Sequence, residues 1–168
     1  MQTSTIDKAQ FRTAMSRLGA AVNIITTADA QGWHGMTASA VCSVSDEPAS
    51  LLVCINRAAR LHAMIVHSGT LCVNVLAGAH EALSGVFASR GLTMDERFAQ
   101  AEWTPLQSGA PALVGALCNF GCRVASVSEM GTHSVFLCQV EELRVDGEGE
   151  ALVYCGRNYH HLPVAVAA

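Results

Sequence analysis

Charge is what this sequence has least of. Asp, Glu, Lys and Arg make up 14% of its 168 residues, against roughly 25% in an ordinary soluble domain. Hydrophobic residues reach 51%, so a lone chain of this size has too few charges to cover its apolar surface. The composition therefore implies a face that self-associates, at least as a dimer. The formal net charge of −4 gives no electrostatic attraction to nucleic acid or to an anionic membrane. No apolar run approaches the ~18 residues that suggest a spanning helix. Residues 1–10 are polar, with Asp7 and Lys8, and lack the basic-then-apolar layout of an export signal. The expected compartment is the cytoplasm.

Several sequence motifs are also missing. Neither GxxxxGK[ST] nor GxGxxG occurs, so a phosphate cradle of those glycine-loop types is not expected. No G-x-S-x-G elbow is present, which weakens a hydrolase reading. Seven cysteines and seven histidines invite a metal site, but their spacing argues against one. Cys118 and Cys122, on a strand, stand about 13 Å apart at ~3.3 Å per residue, too far to share one zinc. His160 and His161 are adjacent and point apart on most backbones. Cys42, Cys54, Cys72 and Cys138 sit inside apolar, β-like runs, where a thiol behaves as a small hydrophobe, and are read as reduced core residues.

What is present is mostly strand. Asp7, with Gln10 three residues on, can cap a helix whose Phe11, Met15 and Leu18 share a face, with Gly19 as its stop. Residues 22–27 (VNIITT) are β-branched, 28–32 read as a hairpin turn, and 33–45 as one continuing strand. Residues 51–56 and 71–76 are further strands, separated by a short helix over 58–67 closed by Gly69. A weak helix follows over 80–89, and 91–111 reads as an irregular excursion rich in breakers. Two long strands, 113–129 and 134–145, reverse at Gly131. Asp146-Gly147 is a turn signal, and 152–155 is the expected last strand. No repeat or linker divides the chain. A single mainly β domain spanning 1–168 is expected, a closed antiparallel barrel with a few short helices.

Three places offer chemistry. GMTASAVCSVS (35–45) is dense in small residues and hydroxyls, where a flat ring can approach the backbone. Taken alone, it reads more readily as a half-buried strand of small residues beneath a helix. Arg57 and Arg60 follow SLLVCINR (50–57) at the entry to a helix, a setting that suits a phosphate, or simply a solvated strand end. His133 follows Gly131-Thr132 at a bend, where a lone histidine is commonly a surface residue.

Taken together and in order, these segments resemble the FMN-binding, split β-barrel flavin reductases, which include the reductase components of two-component monooxygenases. The resemblance runs over about 11–162. It rests on AAVNIITT (20–27), GMTASAVCSVS, SLLVCINR, LCVNVL (71–76), ERF (96–98), GTH (131–133), and the closing LVY and RNYHHL. It implies a homodimer with its pocket at the subunit interface, and NADH-dependent (or NADPH-dependent) reduction of FMN (or FAD) for a separate flavin-dependent monooxygenase. The alternative is a non-catalytic FMN-binding electron carrier on the same barrel.

Residue by residue, the resemblance implies that Met36, Thr37, Ala38 and Ser39 line the isoalloxazine. Cys54, Ile55, Asn56 and Arg57, with Arg60, would hold the ribityl and phosphate end. Asn74, Val75 and Leu76 would close the pocket, and His133, as the catalytic candidate, would border the nicotinamide with Tyr159 and Arg157. Many relatives carry Asp before the histidine where this chain has Thr132, and two prolines where it has Pro48-Ala49.

Overall fold

The computed structural model describes residues 6–145 and 149–164. Helix α1 (Lys8–Met15) starts where the sequence places it, with the Asp7 carboxylate accepting from the Gln10 N–H at 3.0 Å. No residue of α1 is buried. Strands β1 (Ala20–Ala21), β2 (Asn23–Asp29) and β3 (Gly32–Ala38) follow. The hairpin is tighter than expected, because β2–β3 pairing continues out to Asp29 opposite Gly32. The single strand expected over 33–45 is broken at Ser39 and Ala40, and β4 (Val41–Asp46) begins beyond the break. Next come β5 (Ala49–Asn56), α2 (Arg60–Ser68) and β6 (Thr70–Val75). Gly69 ends α2 in the left-handed region, at φ 71, a conformation glycine reaches without steric cost.

The stretch read as irregular contains more structure than its breakers suggest. After a 3-10 turn (Gly78–His80) and α3 (Glu81–Ala88), it holds α4 (Met94–Phe98), β7 (Trp103–Pro105) and the start of β8 (Pro111–Leu113). Helix α4 exists because Thr93 and Glu96 cap it reciprocally. The Glu96 N–H donates to Thr93 Oγ1 at 3.2 Å, and the Thr93 N–H donates to the Glu96 carboxylate at 2.8 Å, a capping box. Strands β9 (Cys118–Met130) and β10 (His133–Arg144) form the long hairpin. The turn read at Asp146-Gly147 lies outside the described residues. β11 (Glu150–Cys155) is not the last strand, since β12 (Asn158–Pro163) pairs antiparallel along its whole length.

A seven-stranded sheet runs in the order β3-β2-β6-β9-β10-β5-β4, beside a three-stranded sheet β1-β11-β12 and the small ladder β7-β8. The closed barrel expected from the sequence is corrected here. The large sheet curls, so that Ile25 of β2 shares one core with Val53 of β5 and Phe136 of β10. Its two edges, β3 and β4, are not hydrogen-bonded to each other. The chain passes directly from β3 into β4 through Ser39 and Ala40, so these edges meet end to end instead of side by side.

Helix α2 plugs the concave side with Leu61, Met64 and Ile65, spaced for one helical face. A second core joins Val22, Ile24 and Leu152 to Leu83 and Phe87 of α3 and Phe98 of α4. Phe87 packs on the β3 backbone at Gly35, where a Cβ would come within 2.9 Å of its ring. Arg97 is 7% exposed, and its guanidinium donates to the carbonyls of Phe87, Ser89 and Leu92. It thereby satisfies acceptors at and beyond the C-terminal end of α3.

The helices pack on β2 and β3 and leave the far face of the sheet bare. There Cys42, Leu52, Leu137 and Ser126 line up across four strands, and Cys54, Val135 and Ser128 form the next row. Cys72 and Cys138 are core thiols, both pushed up to about 12 by burial. Cys42 is not a core thiol: it is exposed, because none of the described residues covers the outer side of edge strand β4.

Candidate cofactor cleft

The end of β3 forms one wall of a cleft of about 300 Å³. Thr37, Ala38 and Ser39 line it, with Val22 and Ala88 beside them and Tyr154 and Tyr159 from the small sheet opposite. β3 is an edge strand with β2 as its one neighbour in the sheet. Half of its main-chain N–H and C=O groups therefore point away from the ladder. The side chains here are small, so a planar ligand can reach that backbone. The two tyrosine rings pack edge to face, 5.4 Å apart, and present apolar surface with a polar tip.

A second group of candidates lies across the Ser39–Ala40 junction. The Cys54 N–H donates to the Ala40 carbonyl at 2.9 Å, and Asn56, two residues further along β5, sits opposite His133 of β10. The step from Cys54 to Asn56 is about 7 Å along the strand. The Arg57 N–H donates to the Thr132 carbonyl at 2.9 Å, and its guanidinium meets Glu129 at 3.1 Å. His133 Nδ1 lies 2.9 Å from Thr132 Oγ1. The hydroxyl donates where Nδ1 is bare and accepts where Nδ1 carries a proton, so Thr132 fixes the ring without supplying charge.

The structure thus brings Thr37, Ala38, Ser39 and Tyr159 into one cleft, and Cys54, Asn56, Arg57 and His133 into a neighbouring rim. Met36 is half-buried and packs against the core on the other face of β3. Other candidates are not brought in. Asn74 is fully buried, and its amide donates to the Ile24 carbonyl and Thr26 while its oxygen accepts from the Leu113 N–H and Asn119. Ile55 and Leu76 are core residues at 1% and 0% exposure, and Val75 packs on the same core as Ile25. Arg60 turns to the β2–β3 hairpin, donating to Gln31 Oε1 at 2.9 Å, away from Arg57. Arg157, at φ 65, sits under α1 and donates to Thr13 Oγ1 at 3.2 Å.

Sequence reasoning passed over Tyr154, Val22, Ala88 and Ser84. Tyr154 stands inside a segment that carries the resemblance, so it was within reach. Ser84 was signalled only by being polar between Leu83 and Phe87, on the buried side of α3.

Residues 15–163 match the model of the flavin reductase like domain. The chain belongs to this family. Among its members, the FMN reductase (NADH) RutF of Methylorubrum populi is 51% identical over 160 residues, 95% of this chain and 79% of that one. The NADH:FAD oxidoreductase SgcE6 of Streptomyces globisporus, solved in complex with NAD and FAD fragments, superposes with a TM-score of 0.85 at 26% identity, covering 92% of each chain. BorF, the flavin reductase component of a bacterial two-component tryptophan halogenase, gives 0.87 at 28% identity, covering 95% of this chain and all of that one. The family expectation drawn from those sequence segments therefore stands.

Proposed function

We propose that the protein is an NADH-dependent FMN reductase that hands reduced flavin to a separate flavin-dependent monooxygenase. NADH gives up a hydride, a proton is taken from solvent, and NAD⁺ and reduced FMN leave. The observation that carries this reading is the open end of β3, where small residues expose an unpaired backbone edge beneath two tyrosines. Those features fit a flavin: main-chain N–H groups match its ring acceptors, and residues no larger than threonine let it lie close. FMN, when bound, supplies the ring that accepts the hydride.

The chain's own contribution is placement. Hydride transfer gains most from holding two rings about 3–3.5 Å apart, so no nucleophile or acid–base dyad is required. Thr37, Ala38 and Ser39 support the flavin ring, Tyr154 and Tyr159 shield it from water, and His133 borders the nicotinamide. Asn56 and Arg57, beside the first turn of α2, face the phosphate end. Arg60 then acts at long range at most, given its bond to Gln31.

The working unit is a homodimer joined through the bare face of β4, β5, β10 and β9. Three observations support it: the scarcity of charge, the apolar and small residues aligned on that face, and the size of the cleft. About 300 Å³ lies at the lower end of small-molecule sites, room for one ring system rather than two. A second copy on that face would stand next to the ends of β5 and β10, where Asn56 and His133 lie, and would complete the walls.

The deciding experiment is NADH consumption under air with FMN, FAD or riboflavin supplied in turn. Multiple turnovers with FMN are expected. FMN binding without NADH consumption would establish a carrier instead, and indifference to all three flavins would remove the proposal.

A further inference from the structure

Behind the cleft, one residue that does not line it touches both walls. Ser84 of α3 is fully buried. Its main-chain carbonyl accepts from Thr37 Oγ1 at 2.7 Å, and its own hydroxyl lies 2.8 Å from the Tyr159 hydroxyl. We infer that Ser84 is a positioning residue that sets the hydrogen-bond polarity of the cleft, so that the cleft reads the amide edge of its ligand.

The argument begins with Thr37. A carbonyl can only accept, so the Thr37 proton is committed to Ser84, and its oxygen offers the cleft lone pairs alone. At Tyr159 either hydroxyl could donate. Among the described residues the Ser84 hydroxyl has Tyr159 as its one partner, and it has no access to solvent. Were it the acceptor, its own proton would be left buried and unpaired, the costly arrangement. Tyr159 is half-buried at the cleft, where its proton can meet a ligand or water. Ser84 therefore donates to Tyr159, and the phenolic proton is directed outward.

The result is a donor at Tyr159 and an acceptor at Thr37, both fixed by the same residue. The complement is a carbonyl beside an N–H. Two of the compounds expected here carry that group: the carboxamide of the nicotinamide and the imide edge of the flavin. The inference rests on the reading of this cleft as the site of flavin reduction and adds how an amide is selected there.

The test compares wild type, Ser84→Ala, Tyr159→Phe and the double variant, each as the full chain. NADH is set against its reduced 3-acetylpyridine analogue, which keeps the carbonyl and lacks the amide nitrogen. FMN is set against N3-methyl FMN. For whichever compound presents the amide, S84A should raise KM about 3–10-fold, the loss of one ordinary hydrogen bond, with kcat within about twofold. It should leave the preference over the blocked analogue in place, because the N–H that the analogues lack meets Thr37, whose bond is to the Ser84 main-chain carbonyl; Thr37→Val should erase that preference. Y159F should behave as S84A does, and the double variant should add nothing, because the two residues act as one unit.

Additive effects, or an S84A enzyme with unchanged KM values, would overturn the role of Ser84, and a Thr37→Val enzyme that keeps the preference would overturn that of Thr37. If Y159F and Thr37→Val shift KM while S84A does not, the site stands and only Ser84 is wrong. If none of the three moves any constant, the cleft itself is misassigned and the inference falls with it. Should S84A unfold at assay temperature, Ser84→Cys keeps the volume while weakening the donor, and the same expectations apply to it.

Discussion

His133 is held by its neighbour in sequence, through the 2.9 Å contact between its Nδ1 and the Thr132 hydroxyl. That leaves Nε2 to face a ligand at the rim. On the proposed placement of His133 beside the nicotinamide, His133→Ala should raise the KM for NADH about 3–10-fold and leave the FMN dissociation constant within about twofold. Loss of flavin with unchanged NADH affinity would show the histidine to be misplaced. Arg97 is the contrasting case, a buried cation serving structure. Its three carbonyl acceptors lie at or just past the end of α3, so Arg97→Ala strips each of a partner, the Phe87 carbonyl in a buried setting and those of Ser89 and Leu92 in part-buried ones. A loss of about 2–3 kcal/mol in urea unfolding is expected, and an unchanged midpoint would count against the capping role.

Strand β12 is tied to α3 and β11 by a titratable contact. His161 Nε2 meets Glu81 at 2.7 Å and Nδ1 meets Glu150 at 3.3 Å. The bond to Glu81 first, and the one to Glu150 after it, raises His161 above its ordinary 6.5. A raised folded-state value means the contact is complete below about pH 6.5 and is lost as pH climbs through the folded pKa. The thermal midpoint of wild type should exceed that of His161→Gln most at about pH 5.5 and least at about pH 8.5. A gap that does not change with pH would mean the ring is not charged in this contact.

The same strand shows where sequence reading stops. NYHHLP carries no apolar alternation, and only its pairing with β11 makes it a strand. Strands with a clear inner face, such as β5 with Leu51, Val53 and Ile55 buried in alternation, were legible from their pattern alone. Helix α4 was also legible in principle, since Thr93 and Glu96 have capping-box spacing, but the surrounding glycines and prolines argued for loop. At the site, the small residues of 37–39 announced themselves by composition. Asn74 misled because a polar residue in a strand looks available, whereas its amide is spent inside the core.

For the molecule as a whole, the bare sheet face makes a prediction about thiol chemistry. Cys42 is exposed in a single chain and lies on the face assigned to the second copy. Cys72 and Cys138 are buried with raised pKa values, which slows thiolate reactions further. Cys42 should resist a maleimide at concentrations where sedimentation gives a dimer and react on dilution to monomer, while Cys72 and Cys138 stay unmodified until unfolding. Rapid labelling of Cys42 in the dimer would move the interface elsewhere. The open margin at β3 has another consequence. A strand with unpaired amides is a template onto which a foreign strand can add, and a ligand seated there denies it that position. Saturation with FMN should therefore slow heat-induced aggregation, measured by light scattering, beyond what its effect on the unfolding midpoint explains, so that the bound ring also acts as a guard against polymerisation.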